Sequence, residues 1–303
     1  MRPRHRGRHA GGDSALDPGR DPRGARAARG RLPEGREEAH PRRGREVIPR
    51  VVWLSVAPVK SMRLVSVEAV ELATTGIRGD RRFYLVDEEG GLVNAKRVPA
   101  LLAVQAAAEN GRLSLTLPDE TTVEADVQLA ERIETIFYGR PVLGRIVEGP
   151  WGEALSALTG KSIRLARTER EGDGVDRGRV AGATLVSTAS LDALGIAAGA
   201  TGPVDGRRFR MTIGVGGVEA HAEDSWIGER LRVGGAVVAV RAHVGRCAVT
   251  TRDPDTGIRD LDTLEVIAQY RSDVVTREPL PFGVWSEVVE PGPVAVGDPV
   301  EIE

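Results

Sequence analysis

The stretch G-R-C-A-V-T-T-R-D-P-D-T-G, residues 245–257, is the most informative part of this 303-residue chain. It contains Cys247, the only cysteine of the sequence, so an intramolecular disulfide is excluded. The remaining roles for Cys247 are an inert buried thiol, a nucleophile or a metal ligand. Arg246 and Arg252 supply positive charge that would stabilise a thiolate, and the D-P-D-T-G segment is typical of a turn. These neighbours favour a reactive thiol on a loop over a thiol that fills a gap in the core.

The composition is typical of a globular protein with two domains. The chain is 41% hydrophobic and 28% charged, and its length is about twice that of a usual domain. No run approaches the roughly 18 apolar residues of a membrane span, and the N-terminus has no apolar stretch that resembles a signal peptide. Together with the absence of a disulfide, this pattern predicts a soluble cytoplasmic protein that does not bind a membrane.

Charge is distributed unevenly along the chain. Residues 1–50 contain 14 arginines and 7 acidic residues, whereas residues 51–303 contain 28 basic and 37 acidic residues. An acidic folded part argues against nucleic-acid binding, which needs a basic face. Residues 1–48 are rich in Arg, Gly and Pro and are predicted to be a disordered extension, because they have too few large apolar residues to offset the entropy of ordering. An RNA-binding arm and a non-functional extension are both open, and the lack of aromatic residues for base stacking favours the second.

Short β-rich runs separated by turn residues begin at Val51. The strands predicted from alternation and β-branched enrichment are Val51–Val56, Val65–Leu72, Phe83–Asp87, Leu101–Ala107, Arg112–Leu117 and Thr121–Glu124. The pair Asn110-Gly111 between two apolar runs predicts a hairpin. Residues 49–145 are therefore predicted to form a small, β-barrel-like N-terminal domain.

Residues 146–303 mix strands with short helices. The predicted helices are Trp151–Thr159, closed by Gly160, then Ser187–Gly195, closed by its glycine, and Leu261–Tyr270. The predicted strands are Arg208–Val215, Leu231–Ala242, Phe282–Val289 and Val294–Ile302. The fold class is therefore α+β and predominantly β, with a second barrel-like domain that carries short helices.

Familiar cofactor motifs are missing, but basic residues recur. The sequence has no phosphate-binding P-loop, His221 and His243 lack the spacing of zinc ligands, and a Ser-His-Asp hydrolase without its usual nucleophile motif is disfavoured. Basic residues cluster at Lys60–Arg63, at Arg81-Arg82 and at residues 207–210. Each cluster alone is most simply a solvated surface patch. Together with Cys247, they could build a pocket for an anionic cofactor whose metal needs a soft thiolate ligand.

These stretches carry a resemblance to the MOSC family, named for the C-terminal domain of molybdenum-cofactor sulfurase. The matching stretches are Ala57–Ser61, Gly79–Phe83, Leu85–Asp87, Ser187–Leu191, Arg208–Arg210, Trp226–Gly228, Arg246–Gly257 and Phe282–Val284. The resemblance covers about residues 51–303. It is closest to the two-part arrangement of the amidoxime-reducing components and their bacterial relatives, which implies a MOSC domain at residues 146–303 behind an N-terminal β-barrel domain at residues 49–145.

The resemblance implies molybdenum cofactor (molybdopterin) binding, with Cys247 as the catalytic thiolate ligand of molybdenum. Lys60, Ser61 and Arg82, or Arg81 if the register differs by one residue, would bind the pterin phosphate. The other cofactor-binding residues that it implies are Ser187, Ser190, Arg210, Thr212, Arg246 and Thr250. Thr212 takes the place of an asparagine, because the family's Arg-Phe-Arg-Pro-Asn reads Arg-Phe-Arg-Met-Thr here.

The implied activity is the reduction of small N-hydroxylated or N-oxide compounds by a two-electron removal of oxygen. Electrons would come from a separate electron-transfer protein or reductase, since one cysteine cannot hold an iron–sulfur cluster. The resemblance also implies pyridoxal phosphate binding. Two other functions remain open: a sulfur carrier or cofactor-handling protein with a persulfide on Cys247, and a non-catalytic small-molecule binding module.

Overall fold

Short β-strands are the predominant regular structure of the described residues, as the alternating apolar runs predict. The computed structural model describes residues 48–180 and 182–303, and the extension predicted at residues 1–48 lies outside them apart from its last residue. Within these ranges the strands are β1 (Arg50–Val56), β2 (Val65–Val67), β3 (Ala69–Ala73), β4 (Gly76–Ile77), β5 (Phe83–Val86), β6 (Leu92–Val93), β7 (Gln105–Glu109), β8 (Arg112–Thr116), β9 (Thr122–Asp126), β10 (Gln128–Phe137), β11 (Arg140–Glu148), β12 (Arg164–Thr168), β13 (Ala183–Ser187), β14 (Ile213–Gly216), β15 (Arg230–Val233), β16 (Ala236–Gly245), β17 (Pro281–Glu290), β18 (Gly292–Ala295) and β19 (Val300–Ile302).

Three α-helices accompany the strands in the described ranges: α1 (Trp151–Thr159), α2 (Thr188–Ala197) and α3 (Thr263–Tyr270). Short 3₁₀ turns lie at Pro99–Ala103, Gly178–Val180, Gly206–Phe209, Ala222–Trp226 and Ala248–Thr251. Across the described part of the chain, none of the helices has both the length and the apolar character that a membrane crossing requires. The predominantly β, α+β fold class is confirmed.

Eight strands form the largest sheet, in the order β19-β15-β16-β17-β13-β14-β1-β2. Its pairs are antiparallel except β13 and β14, which run parallel. Strand β1, from the beginning of the described chain, pairs with β14, and Val51 lies opposite Val215. Both of these valines are buried in the apolar core that the sheet covers. This pairing places the residues that follow β1 beside the second half of the chain.

A second sheet has the order β10-β11-β12-β5-β6. Strand β11 runs across residue 145, and β12 pairs with β5, so this sheet contains strands from both sides of the predicted domain boundary. The separate domains at 49–145 and 146–303 stay a prediction. Two three-stranded sheets, β7-β8-β9 and β18-β3-β4, complete the β structure of the described residues. Helix α1 packs on the β7-β8-β9 sheet through Trp151, whose Nε1 donates to the Leu113 carbonyl at 3.1 Å.

Several predicted strands are broken by turns in the structure. The strand predicted at Leu101–Ala107 begins as the 3₁₀ turn Pro99–Ala103, which has proline in its first turn. The strand predicted at Arg208–Val215 begins as the 3₁₀ turn Gly206–Phe209, which the Asp205 side chain caps by accepting from the Arg207 N–H. The range Leu231–Ala242 contains two strands, β15 and β16, and Val294–Ile302 contains β18 and β19. Glycines between the members of each pair reverse the chain. Strands β10 to β12 were not predicted.

The predicted helices are present, with one end displaced. Helix α1 ends at Gly160, which has a left-handed φ of 65°, as predicted. Ser187 caps α2 by accepting from the Ser190 N–H at 3.0 Å. However, α2 does not end at Gly195 as predicted and continues to Ala197. Gly195 serves a close approach instead, since a Cβ atom there would lie 2.8 Å from the Gly202 carbonyl oxygen.

Candidate functional site

A cavity of about 830 Å³ lies where the loops after β1, β4, β10 and β16 meet. This volume is within the usual range for small-molecule and cofactor sites. Eight of the eleven predicted site residues line it: Lys60, Ser61, Arg81, Arg210, Thr212, Arg246, Cys247 and Thr250. The lining contains eight basic and three acidic side chains. The cavity lining is therefore strongly cationic, although residues 51–303 contain more acidic than basic residues.

Cys247 follows the end of β16 and has an exposed thiol on the cavity wall. Its exposure excludes the interpretation as an inert thiol in the core. Thr250 fixes this segment, because its Oγ1 donates to the Cys247 carbonyl at 3.0 Å and lies 2.7 Å from the Thr263 Oγ1. Thr250 is 4% exposed and uses its hydroxyl in these contacts. Its contribution to the site is therefore to position the cysteine segment against α3.

The D-P-D-T-G segment forms the predicted turn. Asp253 Oδ1 accepts from the Thr256 hydroxyl at 2.9 Å and from the backbone N–H groups of Thr256 at 2.8 Å and Asp255 at 3.0 Å. Burial raises the pKa of the Asp253 carboxyl, but these hydrogen bonds, that of the Thr256 hydroxyl first, hold it below its usual value. Arg252, which the sequence suggested as a neighbour of the thiolate, donates instead to the Gly257 carbonyl at 3.0 Å. The Arg252 guanidinium therefore closes the turn.

The cationic end of the cavity is built from Lys60, Arg81 and Arg210. Lys60 is 6% exposed, and its Nζ donates to the Gly174 carbonyl at 3.0 Å and pairs with the Asp176 carboxylate. Burial lowers the pKa of Lys60, and the charge of Asp176 partly opposes this. Arg81 donates to the Arg210 carbonyl at 3.0 Å, which ties the segments after β4 and before β14 together.

Arg210 is the residue of this group with an unused donor. Its Nη2 is buried and meets no hydrogen-bond acceptor among the described residues. Burial lowers the pKa of the Arg210 guanidinium to about 10, and the neighbouring charge of Arg81 acts in the same direction. A buried N–H group without a hydrogen-bond acceptor costs free energy. A ligand that offers an acceptor to the Arg210 Nη2 would remove this cost.

Three residues of the cavity lining have a strained backbone. The φ angles of Ser61, Arg81 and Arg210 are 74°, 50° and 53°, in the left-handed region that non-glycine residues seldom adopt. Such conformations persist where the surrounding structure fixes them, and they cluster at functional sites. All three residues line the same cavity.

Arg246 and Thr212 line the cavity but are engaged by the protein. Arg246 Nε donates to the Phe282 carbonyl at 2.8 Å, and Nη1 donates to the Phe209 carbonyl at 2.9 Å. Burial lowers the pKa of Arg246 to about 9, although the nearby Cys247 opposes the shift. Thr212 Oγ1 donates to the Thr184 carbonyl at 3.0 Å and so links β14 to β13. Both side chains hold the loops that carry the cavity residues.

The structure places Ser187, Ser190 and Arg82 away from the cavity lining. The two serines are fully buried, their hydroxyl oxygens lie 2.7 Å apart, and the Ser190 hydroxyl donates to Glu223 Oε1 at 2.7 Å. They therefore serve the start of α2. Arg82, just before β5, donates to Thr168 Oγ1 at 2.8 Å. Of the two arginines between which the sequence left the choice open, Arg81 is the one at the cavity.

Sequence reasoning missed part of the lining. Asp176 and Arg177 lie on the loop between β12 and β13, Glu278 lies before β17, Trp285 lies on β17, and Tyr138 lies between β10 and β11. The loop offers one signal, the glycine- and aspartate-rich sequence G-D-G-V-D at residues 172–176, which is typical of an irregular segment. The other positions carry no local pattern, because tertiary packing alone brings them to the cavity.

The arrangement fits an anionic ligand that carries a soft metal. The exposed thiol of Cys247 is a soft donor, the cationic end matches phosphate, and the unused Nη2 of Arg210 calls for an acceptor. The chemistry of the donor set therefore suits a molybdopterin with its phosphate.

The chain belongs to the MOSC family, in its form with two parts. Residues 48–138 match the model of the MOSC N-terminal beta barrel domain, and residues 177–301 match the model of the MOSC domain. These matches confirm the family that the sequence resembled, and most of the residues that line the cavity lie within the two matched ranges.

Curated relatives align with this chain over most of their length. The mitochondrial amidoxime-reducing component 1 of Mus musculus is 29% identical over 86% of this chain and 85% of its own. The human protein of the same name is 28% identical over 86% of each chain. Among solved structures, the YUAD protein from Bacillus subtilis aligns over 84% of this chain and 94% of its own, with a TM-score of 0.40 and 13% identity.

Proposed function

We propose that this protein binds a molybdenum-pterin cofactor in the cationic cavity and reduces N-hydroxylated or N-oxide compounds. The observation that carries the proposal is the exposed Cys247 thiol on the wall of a cavity lined by eight basic side chains. The relatives named as amidoxime-reducing components support the substrate class. When bound, the cofactor would supply a metal centre able to remove an oxygen atom with two electrons.

The protein would contribute binding, orientation and charge. Lys60, Arg81 and Arg210 would hold the phosphate of the cofactor, since guanidinium and ammonium groups pair well with phosphate oxygens. Cys247 would give its thiolate to molybdenum. Arg246 keeps the Phe209 and Phe282 backbones in place around the thiol. Thr250 fixes the cysteine segment through its hydrogen bond to the Cys247 carbonyl.

The overall reaction requires a partner. Conversion of R–NH–OH to R–NH2 and water consumes two electrons and two protons. A single cysteine leaves no iron–sulfur cluster in this sequence to supply those electrons, so a separate electron-transfer protein or reductase would deliver them. Nucleic acid is not an expected partner. The cytoplasmic location and pyridoxal phosphate binding stay predictions, and the two relatives described above are named as mitochondrial.

Metal and sulfur analysis of the purified protein tests the proposal. Protein made in a host that synthesises the cofactor should contain stoichiometric molybdenum, and Cys247→Ser should lose reductase activity with a change in stability within about 0.5 kcal/mol, because the thiol is exposed. Lys60→Ala should lower molybdenum content. Lys161→Ala, at an exposed position outside the cavity lining, is the matched control and should retain it.

The alternatives give different results in the same experiment. A labile sulfur on Cys247 without molybdenum would favour a sulfur carrier with a persulfide. Absence of both, with small molecules still bound, would favour a non-catalytic binding module. Full turnover by Cys247→Ser would refute the ligand role.

A further inference from the structure

The Arg177 side chain, in the cavity lining, lies in a small site of its own. Its guanidinium carbon is 5.3 Å from the centre of the Trp285 ring. Its Nη2 donates to Glu278 Oε1 at 2.8 Å. Trp285 and Glu278 both line the cavity. A flat aromatic face and a carboxylate thus hold one planar cation between them.

We propose that Trp285 and Glu278 form a binding site for a planar amidinium or guanidinium group, and that Arg177 is an internal occupant that the ligand displaces. A guanidinium is flat and delocalised, so it stacks on an aromatic ring while its N–H groups donate to a carboxylate. An amidinium group has the same planar N–C–N geometry, and both classes offer paired donors. A round ammonium group matches the site less well, because it lacks a face for stacking.

Arg177 is positioned to leave this site. It lies on the loop between β12 and β13, which contains a single short 3₁₀ turn, Gly178–Val180, in its described part. The side chains of Arg177 and Glu278 are 33% and 29% exposed. Exposed ion pairs and exposed cation–aromatic contacts each stabilise only weakly, so displacement of Arg177 would weaken ligand binding about tenfold relative to an open site.

The site adjoins the segment that carries the thiol. Gly245 lies two residues before Cys247, and a Cβ atom at Gly245 would be 2.9 Å from Glu278 Oε2, so the missing side chain gives the carboxylate its place beside the end of β16. Trp285 lies on β17, opposite Ala242 of the neighbouring strand β16. The Trp285 Nε1 is buried and meets no acceptor among the described residues, which leaves a donor for a polar group of the ligand. A planar group bound by Trp285 and Glu278 would therefore lie beside the end of β16, the strand that leads to Cys247.

The role of this site in substrate binding rests on the proposed function, whereas amidinium binding as such does not. Benzamidine is a suitable probe, because it is a stable amidinium that the proposed reaction would not consume. Binding of benzamidine to the purified full chain is measured by isothermal titration calorimetry, with benzylamine as a non-planar cation of similar size.

Four variants separate the site from general charge effects. We expect Glu278→Gln to weaken benzamidine binding at least tenfold and Trp285→Leu to weaken it several-fold. Arg177→Ala should tighten binding about tenfold, since the internal occupant is removed. The matched control is Lys96→Ala, which removes one positive charge from an exposed lining residue and should change binding less than twofold.

Three results would overturn the proposal. They are equal binding of benzamidine by Arg177→Ala and Lys96→Ala, unchanged binding by Glu278→Gln, and no binding by either the wild type or Arg177→Ala. Equal affinity for benzylamine would also overturn the requirement for planarity. If protein made in a host that synthesises the cofactor contains no molybdenum, but its variants bind benzamidine in the expected order of affinity, the proposed function is refuted and this site is supported.

Discussion

Arg246 offers a sharp test of how the cavity is held together. We expect Arg246→Met to destabilise the protein, because the buried guanidinium donates to the carbonyl oxygens of Phe209 and Phe282, which would lose these partners. A buried acceptor left without a donor costs about 1–3 kcal/mol, so two of them predict a loss of about 3 kcal/mol in the free energy of unfolding. Methionine keeps the length of the side chain and limits the effect of a cavity.

The matched control is Arg241→Met on β16, the strand that ends at Gly245, just before Arg246. Arg241 is 48% exposed and pairs with Glu287 at the surface. An exposed ion pair contributes about 0–1 kcal/mol, so the two variants should differ by about 2 kcal/mol or more. Urea unfolding of both variants and the wild type measures this difference, which exceeds the usual extrapolation error. Equal losses by the two variants would show that Arg246 is not a structural link between the segments around the thiol.

Two further predictions concern charges near the cavity and in its wall. Asp176→Asn should tighten the binding of inorganic phosphate, measured by calorimetry, by up to about fivefold, because the Asp176 carboxylate competes for Lys60 but is 64% exposed; weaker binding would instead show that Asp176 is needed to keep Lys60 protonated. Burial lowers the pKa of His221 from 6.5 to about 4, and Arg271 acts in the same direction. The folded state therefore favours neutral His221, and its contribution to stability is complete above pH 6.5 and is lost as the pH falls towards 4. His221→Asn, which tolerates the positive φ of 62° at this position, should lose less free energy of unfolding over that range than the wild type, and parallel losses in urea unfolding would contradict the assignment.

The sequence was most informative where chemistry is local. The turn after Cys247 depends on an aspartate that binds the N–H groups two and three residues further on, and the start of α2 depends on a serine that caps its own helix. Interactions of this kind are contained within a few residues, so the residue types alone predict them. The same serine motif did not predict its place in the fold, because the Ser190 hydroxyl is used by Glu223, which lies 33 residues away.

Basic residues show the limit of such reasoning. Arg207 and Arg208 belong to one of the predicted anion-binding clusters, yet Arg207 pairs with Asp255 and Arg208 pairs with Asp260. Asp255 and Asp260 lie about fifty residues further along the chain, so a local pattern could reveal only the additional pairing of Arg207 with Asp205. The choice between Arg81 and Arg82 was undecided for a related reason. Arg81 lies in a turn with a left-handed φ of 50°, which the residue types do not predict, so the sequence could not tell which of the two side chains faces the cavity.

The pairing of β1 with β14 has a consequence for any attempt to divide this protein. A fragment that begins at residue 146 would lack β1, and the backbone groups of Ile213–Gly216 would become an uncovered edge of the large sheet. Open edges with apolar side chains recruit other chains, so such a fragment should self-associate rather than stay monomeric. Evolutionary modules and units of autonomous folding thus need not coincide, and here the first strand of one module completes the sheet of the other.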